Sequence, residues 1–285
     1  MSFSAEVKEE LQKQVGKSRH CQIAELAAMI AFDGIGIENH LLNEKYQVLV
    51  GELFPGEKDV AEWRILELVK MWDEKQQKPE INSTVNGLLL QQVCCRRAFL
   101  RGAFLAGGSI SDPNKSYHFE IVCSDAKRAE QLQTIIRSFS VDAKIVQRKK
   151  SHVVYVKEGA QIVDMLAVME ANVALMDLEN IRILKEMRNS VNRKVNCETA
   201  NINKTVNAAV KQMEDIKLVR QKIGFEQLNE GLAQVAELRM QYPEATLKEL
   251  GMMLNPQVGK SGVNHRLRKL SQIADGLRVN EEELL

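Results

Sequence analysis

Near the C-terminus, Gly259 to Leu270 holds Lys260, Arg266, Arg268 and Lys269 and no acid. A helix through this stretch aligns Val263, Leu267, Leu270, Ala274 and Leu277 in one apolar stripe of 3.6-residue period. The opposite face then carries His265, Arg268, Lys269 and Gln272, with Asn264 and Arg266 flanking it. Arg and Lys donate to guanine edges, and Asn or Gln pairs with adenine. Ser261 and the free N–H groups of the first turn suit a phosphate. The chemistry on offer is recognition of a polyanion, not bond-making. A second basic run, Ile181 to Asn196, sets Arg182, Lys185, Arg188, Arg193 and Lys194 against Glu186 alone. Arg188, Arg193 and Lys194 are therefore candidate phosphate contacts, although the same run could pair with acids of the preceding domain. The formal net charge of the whole chain is only +1, so attraction to a polyanion must come from such local patches.

Catalytic patterns are lacking. The five histidines are scattered, with no H-E-x-x-H pair, and neither G-x-S-x-G nor a G-x-x-x-x-G-K-[ST] loop occurs. Cys21, Cys94, Cys95, Cys123 and Cys197 form an odd set without a C-x-x-C pair, which argues against a disulfide framework or a zinc ribbon. Buried reduced thiols are the expectation, with no metal ligand, catalytic residue, cofactor or small-molecule substrate assigned. No apolar run approaches the ~18 residues of a membrane span, and no secretory leader is visible, so a cytoplasmic, nucleoid-associated location is expected.

The elements that must position the basic face are short helices. Leu232 to Gln241 is one, stopped by Tyr242-Pro243. Thr246 and Glu249 form a capping box opening a second, which buries Leu247, Leu250 and Leu254 before Asn255-Pro256 breaks it. Ser261 is the expected cap of the third. Three such helices describe a helix-turn-helix, although the six-residue link Asn255–Lys260 exceeds the usual 3–4 residue turn.

Upstream, residues 96–171 read as helix, two strands, helix, two strands, helix. Arg97 to Gly107 is a helix with small residues Gly102, Ala103, Ala106 and Gly107 spaced for close backbone approach. Gly108–Ser111 is strand-like, Asp112-Pro113-Asn114-Lys115 is a turn, and Tyr117, Phe119 and Ile121 alternate as a half-buried strand does. A helix over Asp125–Phe139 follows, then a hairpin, Val141–Gln147 and His152–Val156, turning at Arg148-Lys149-Lys150, and a helix over Gly159–Met169. Residues 21–91 echo this order imperfectly. A small-residue helix ends at Asp33-Gly34, a short Ile35–Ile37 strand and a Tyr46–Leu53 strand follow, and a helix runs over Val60–Trp72. From about Thr199 to Lys222 a polar helix reads as a connector.

Several stretches together resemble the bacterial WhiA regulators of sporulation and cell division. They are Arg97-Ala98-Phe99-Leu100-Arg101-Gly102-Ala103-Phe104-Leu105-Ala106-Gly107-Gly108-Ser109, Glu186-Met187-Arg188-Asn189-Ser190-Val191-Asn192-Arg193, Val195 to Asn201, Asn207 to Val210, and Lys260 to Lys269. The resemblance implies an α+β chain: a degenerate two-repeat LAGLIDADG-like α/β domain over 1–180 (repeats about 1–91 and 92–180), a basic linker with helix over 181–226, and an all-α helix-turn-helix domain over 227–285. It also implies a transcription regulator without nuclease activity, with double-stranded DNA as ligand and another transcription factor or RNA polymerase as a possible protein partner. The alternative is a divalent-metal-dependent DNA endonuclease of LAGLIDADG type. In such enzymes each copy ends its small-residue helix with a metal-holding acid. Aligned here, Asp33 holds the first acid position but Gly107 holds the second.

Overall fold

The computed structural model describes residues 2–34, 37, 39–81 and 84–282. The chain divides into two compact units, Met1–Met187 and Arg188–Leu285, and each has a hydrophobic core of its own.

The first unit opens with α1 (Phe3–Lys13), α2 (Arg19–Asp33), α3 (His40–Leu53) and α4 (Glu62–Leu68). A two-residue hairpin, β1 (Trp72–Asp73) with β2 (Lys78–Pro79), precedes α5 (Val93–Gly107). Then come β3 (Gly108–Ile110), β4 (Phe119–Cys123), α6 (Ala126–Arg137), β5 (Lys144–Arg148), β6 (Ser151–Val156) and α7 (Gly159–Met169). The order expected for residues 96–171 is present throughout. The four strands make an antiparallel sheet in the order β3-β4-β6-β5, with Ile121 opposite Gly108 on one side and Val154 on the other. Phe119, Ile121 and Cys123 alternate inward, as the half-buried pattern requires.

Helices α2 and α5 pack together at the centre of this unit. Their Ala and Gly residues permit it: a Cβ on Gly102 would collide with the Glu25 carbonyl of α2. Gly107 faces elsewhere, with the backbone of Val122 on β4 beside it. About two turns into the pair lies a buried charge network. The Glu25 carboxylate meets Lys45 of α3 at 3.2 Å and Arg101 of α5 at 3.1 Å, and Arg101 reaches Glu170 at 2.9 Å. Lys45 is fully buried and also donates to the Leu11 and Gln14 carbonyls. Burial holds its ammonium below the usual lysine range against the opposing pull of Glu25.

The first repeat departs from expectation. Tyr46–Leu53, read as a strand, is the second half of α3, which Asn39 caps by accepting from the Leu41 and Leu42 amides. The helix expected over Val60–Trp72 is the shorter α4, and Trp72 belongs to β1. Of the Ile35–Ile37 strand, Ile35 and Gly36 lie outside the described residues. Among the described residues the two repeats therefore share their central helices but not their sheets.

The polar helix starts well before Thr199: α8 is continuous from Asn172 to Lys222. Its first amides, Val173 and Ala174, donate to the Glu10 carboxylate of α1 at 2.8 and 3.0 Å, which neutralises the positive helix start. In the second unit the last turns of α8 contribute Ile216 to a small core with α9 (Glu230–Gln241), α10 (Leu247–Met253) and α11 (Lys260–Glu282).

Candidate nucleic-acid interface

The basic face is built on α11. Val263, Leu267, Leu270 and Ala274 are buried against α9 and α10, which fixes the helix rotation. That rotation leaves Lys260, Ser261, His265, Arg268, Lys269 and Gln272 exposed, and Asn264 half-buried beside them. No acid interrupts this face before Asp275. Arg266 is turned the other way: half-buried, it covers the first turn of α9 and donates to the Gly231 carbonyl at 3.3 Å.

The helix before it is held by short-range chemistry. Thr246 accepts from the Glu249 amide at 3.3 Å, and Glu249 accepts from the Thr246 amide at 2.7 Å, completing the capping box. These bonds from Thr246 hold the Glu249 carboxyl below its usual range. The six-residue link 254–259 is closed by the Val258 amide donating to the Gly251 carbonyl at 3.0 Å. A Cβ at Gly251 would strike the Val258 carbonyl, so only glycine lets this long link fold back on α10. Ser261 is not the cap: α11 begins at Lys260, and the Gly259 carbonyl accepts from Val263. Its hydroxyl sits in the exposed first turn.

Arg278 joins Asp275 to the buried Asp215 of α8 at 2.8 and 2.6 Å, and so ties α11 to α8 within this unit. Arg188, Arg193 and Lys194 are exposed on α8. In the first unit, the outer face of the sheet is less suited to a polyanion. It carries Ser109, Glu120, Val122, Lys144, Val146 and Arg148, and the Glu120 carboxylate engages Arg148 at 2.8 Å. Lys149 and Lys150 remain exposed at the hairpin tip.

One cluster escaped the sequence reading. His20, Cys21, Cys94 and Cys95 converge, with all four side-chain ligand atoms within 4.8 Å of one another. Cys94 and Cys197 are exposed, which corrects the expectation of five buried thiols. Burial, then the neighbouring thiols of Cys94 and Cys95, push the Cys21 thiol up to about 12. No short spacing could have revealed this set, because its two halves lie on helices far apart in sequence.

Two family models match the chain: the WhiA LAGLIDADG-like domain over residues 96–188 and the WhiA C-terminal HTH domain over 191–274. The chain belongs to the WhiA family. A probable cell division protein WhiA of Lachnoclostridium phytofermentans is 51% identical, the match covering 98% of this chain and all of that one. Another so named, from Alkaliphilus oremlandii, is 46% identical over 98% of each chain. The crystal structure of full-length DUF199/WhiA from Thermatoga maritima aligns over 96% of this chain and 98% of that one, at 25% identity and a TM-score of 0.56. A LAGLIDADG-like domain followed by a helix-turn-helix is thus the architecture of this WhiA-family chain. No helix among the described residues is long and apolar enough to cross a membrane.

Proposed function

We propose that this WhiA-family chain is a non-enzymatic, sequence-specific DNA-binding transcription regulator acting in cell division, the role after which its relatives are named. The observation that carries this reading is the acid-free exposed face of α11 within the family's helix-turn-helix domain. In the major groove, His265, Arg268, Lys269 and Gln272 read base edges, with Asn264 beside them. Lys260 and Ser261, at the exposed helix start, hold a phosphate, and Arg188, Arg193 and Lys194 add backbone contacts. The LAGLIDADG-like unit, whose sheet face spends Arg148 on Glu120, serves as a surface for a protein partner such as another transcription factor or RNA polymerase.

Strand cleavage does not belong to this function. Gly107 stands where the second metal-holding acid would be, and even a Cβ there would lie 2.9 Å from the Val122 carbonyl oxygen. Two-metal hydrolysis needs converging carboxylates, and one of them has no room. The test is selection of binding sites from a random duplex pool with the full chain, with magnesium and manganese present throughout. Enrichment of one motif with the recovered DNA intact is expected. Binding without enrichment, or metal-dependent nicking lost in Asp33→Ala, would overturn the reading.

A further inference from the structure

When the two small-residue helices are aligned on their motifs, Leu26 matches Leu100 and Gly34 matches Gly108. The same offset places His20 on Cys94 and Cys21 on Cys95. The cluster is therefore one pair of positions used twice, at the second and third residues of α2 and of α5. Because these helices pack together, equivalent positions of the two repeats meet. His20 Nδ1 lies 3.2 Å from Cys95 Sγ, 3.3 Å from Cys21 Sγ and 4.0 Å from Cys94 Sγ.

These separations suit one ion. Zn–S bonds of about 2.3 Å and a Zn–N bond of about 2.0–2.1 Å in a tetrahedron put ligand atoms roughly 3.5–3.8 Å apart. Three thiols and one imidazole are a soft donor set that selects Zn²⁺ over Mg²⁺ or Ca²⁺, and four protein ligands leave no open position for catalysis. An iron–sulfur cluster would need the sulfurs spread around several metal atoms, wider than this group. Neither helix has a side chain capping its first amides, so nothing competes with an ion for the space beside the two helix starts. Cys21 and Cys94 line a cleft with Lys17 and Arg97, which supplies an entry path and cations to balance a three-thiolate, net-negative site.

We propose that His20, Cys21, Cys94 and Cys95 form a structural zinc site that clips the starts of the two central helices together and so locks one repeat onto the other. Coordination releases the thiol protons to solvent and changes no oxidation state. The clip joins residues more than 70 positions apart, so it constrains a long loop in the unfolded chain as well as the native core.

The test uses the full chain, purified in reductant from zinc-supplemented cells. About one zinc per chain is expected, and Co²⁺ exchanged into the protein should show the visible bands of a tetrahedral, thiolate-rich site. Cys94 and His20 are exposed, so Cys94→Ser and His20→Ala leave the core packing in place. Each should weaken zinc binding by at least the ~10–100-fold that loss of an outer-shell partner costs. Cys197→Ser, an exposed cysteine elsewhere, should leave it unchanged. Chelation should lower the melting temperature of the wild-type chain and not that of Cys94→Ser. Substoichiometric zinc without cobalt bands overturns the proposal, and so does zinc that persists at full affinity in both ligand variants. Fewer than five free thiols in denatured, metal-free protein would mean that a disulfide occupies the cluster instead.

Discussion

Arg266 and Arg268 stand two residues apart on α11, and the helix sends one to the protein and the other to solvent. Arg268→Ala is expected to weaken specific DNA binding by about 1–3 kcal/mol, the scale of one good base contact, with the melting temperature unchanged. Arg266→Ala removes the bond to Gly231 and should cost about 1 kcal/mol of stability in the second unit. Paired binding and melting curves separate the two, and a specific-binding loss in Arg266→Ala without a stability loss would reverse the assignment. Glu249 supplies a pH test. Its folded carboxyl titrates below its ordinary range because it accepts from Thr246, so its share of stability is whole above the unfolded value near 4.5. That share disappears as pH falls through the depressed folded value. The wild-type advantage over Glu249→Ala, measured by melting, should therefore be flat near neutrality and vanish only in acid below 4.5.

At the scale of elements, close approach of α2 and α5 rests on one missing Cβ. Gly→Ala in an exposed helix interior gains up to about 1 kcal/mol. Gly51 on α3 has open space around it, so Gly51→Ala should stabilise by roughly that amount. Gly102→Ala should carry the opposite sign, destabilising by about 1–3 kcal/mol or more, because the new methyl meets rigid backbone at Glu25. Melting temperatures of the two variants decide, and a gain at both would mean that the helices can part without cost. The second repeat was legible because its strands alternate cleanly, with Phe119 and Ile121 inward, and its turns carry Asp-Pro-Asn chemistry. In the first repeat Tyr46, Val48 and Val50 alternate like a strand, while the buried positions are Leu42, Lys45, Leu49, Val50 and Leu53 at helical spacing. A lysine in that stripe hides the helix from any reading by hydrophobicity, and its tertiary partners, the Glu25 carboxylate and the Leu11 and Gln14 carbonyls, make it tolerable. In the same way, the α11 face followed from its periodicity, but the inward turn of Arg266 depended on Gly231, 35 residues earlier. The cysteine cluster was hidden for a similar reason: its spacing exists only once α2 and α5 have packed.

For the whole molecule, a net charge of +1 means that no long-range field draws the chain to DNA, so the location of cations decides where phosphates are neutralised. Residues 181–285 hold 17 Lys and Arg against 13 acids, and the α11 face concentrates that excess where no acid intervenes. The sheet of the first unit has cations too, yet Arg148 is committed to Glu120, leaving Lys144 on the face and Lys149 and Lys150 at a hairpin tip. Each phosphate neutralised contributes a slope of about −0.9 to log affinity against log salt. Lys260→Ala, which removes a phosphate contact, should therefore make the slope shallower by about 0.9, whereas Lys149→Ala with Lys150→Ala should leave it unchanged. Titrations of the intact chain on one duplex across a salt series measure both. If the hairpin pair moved the slope and Lys260→Ala did not, the LAGLIDADG-like sheet would be the surface on the phosphates, and the helix-turn-helix would have to recognise something other than DNA.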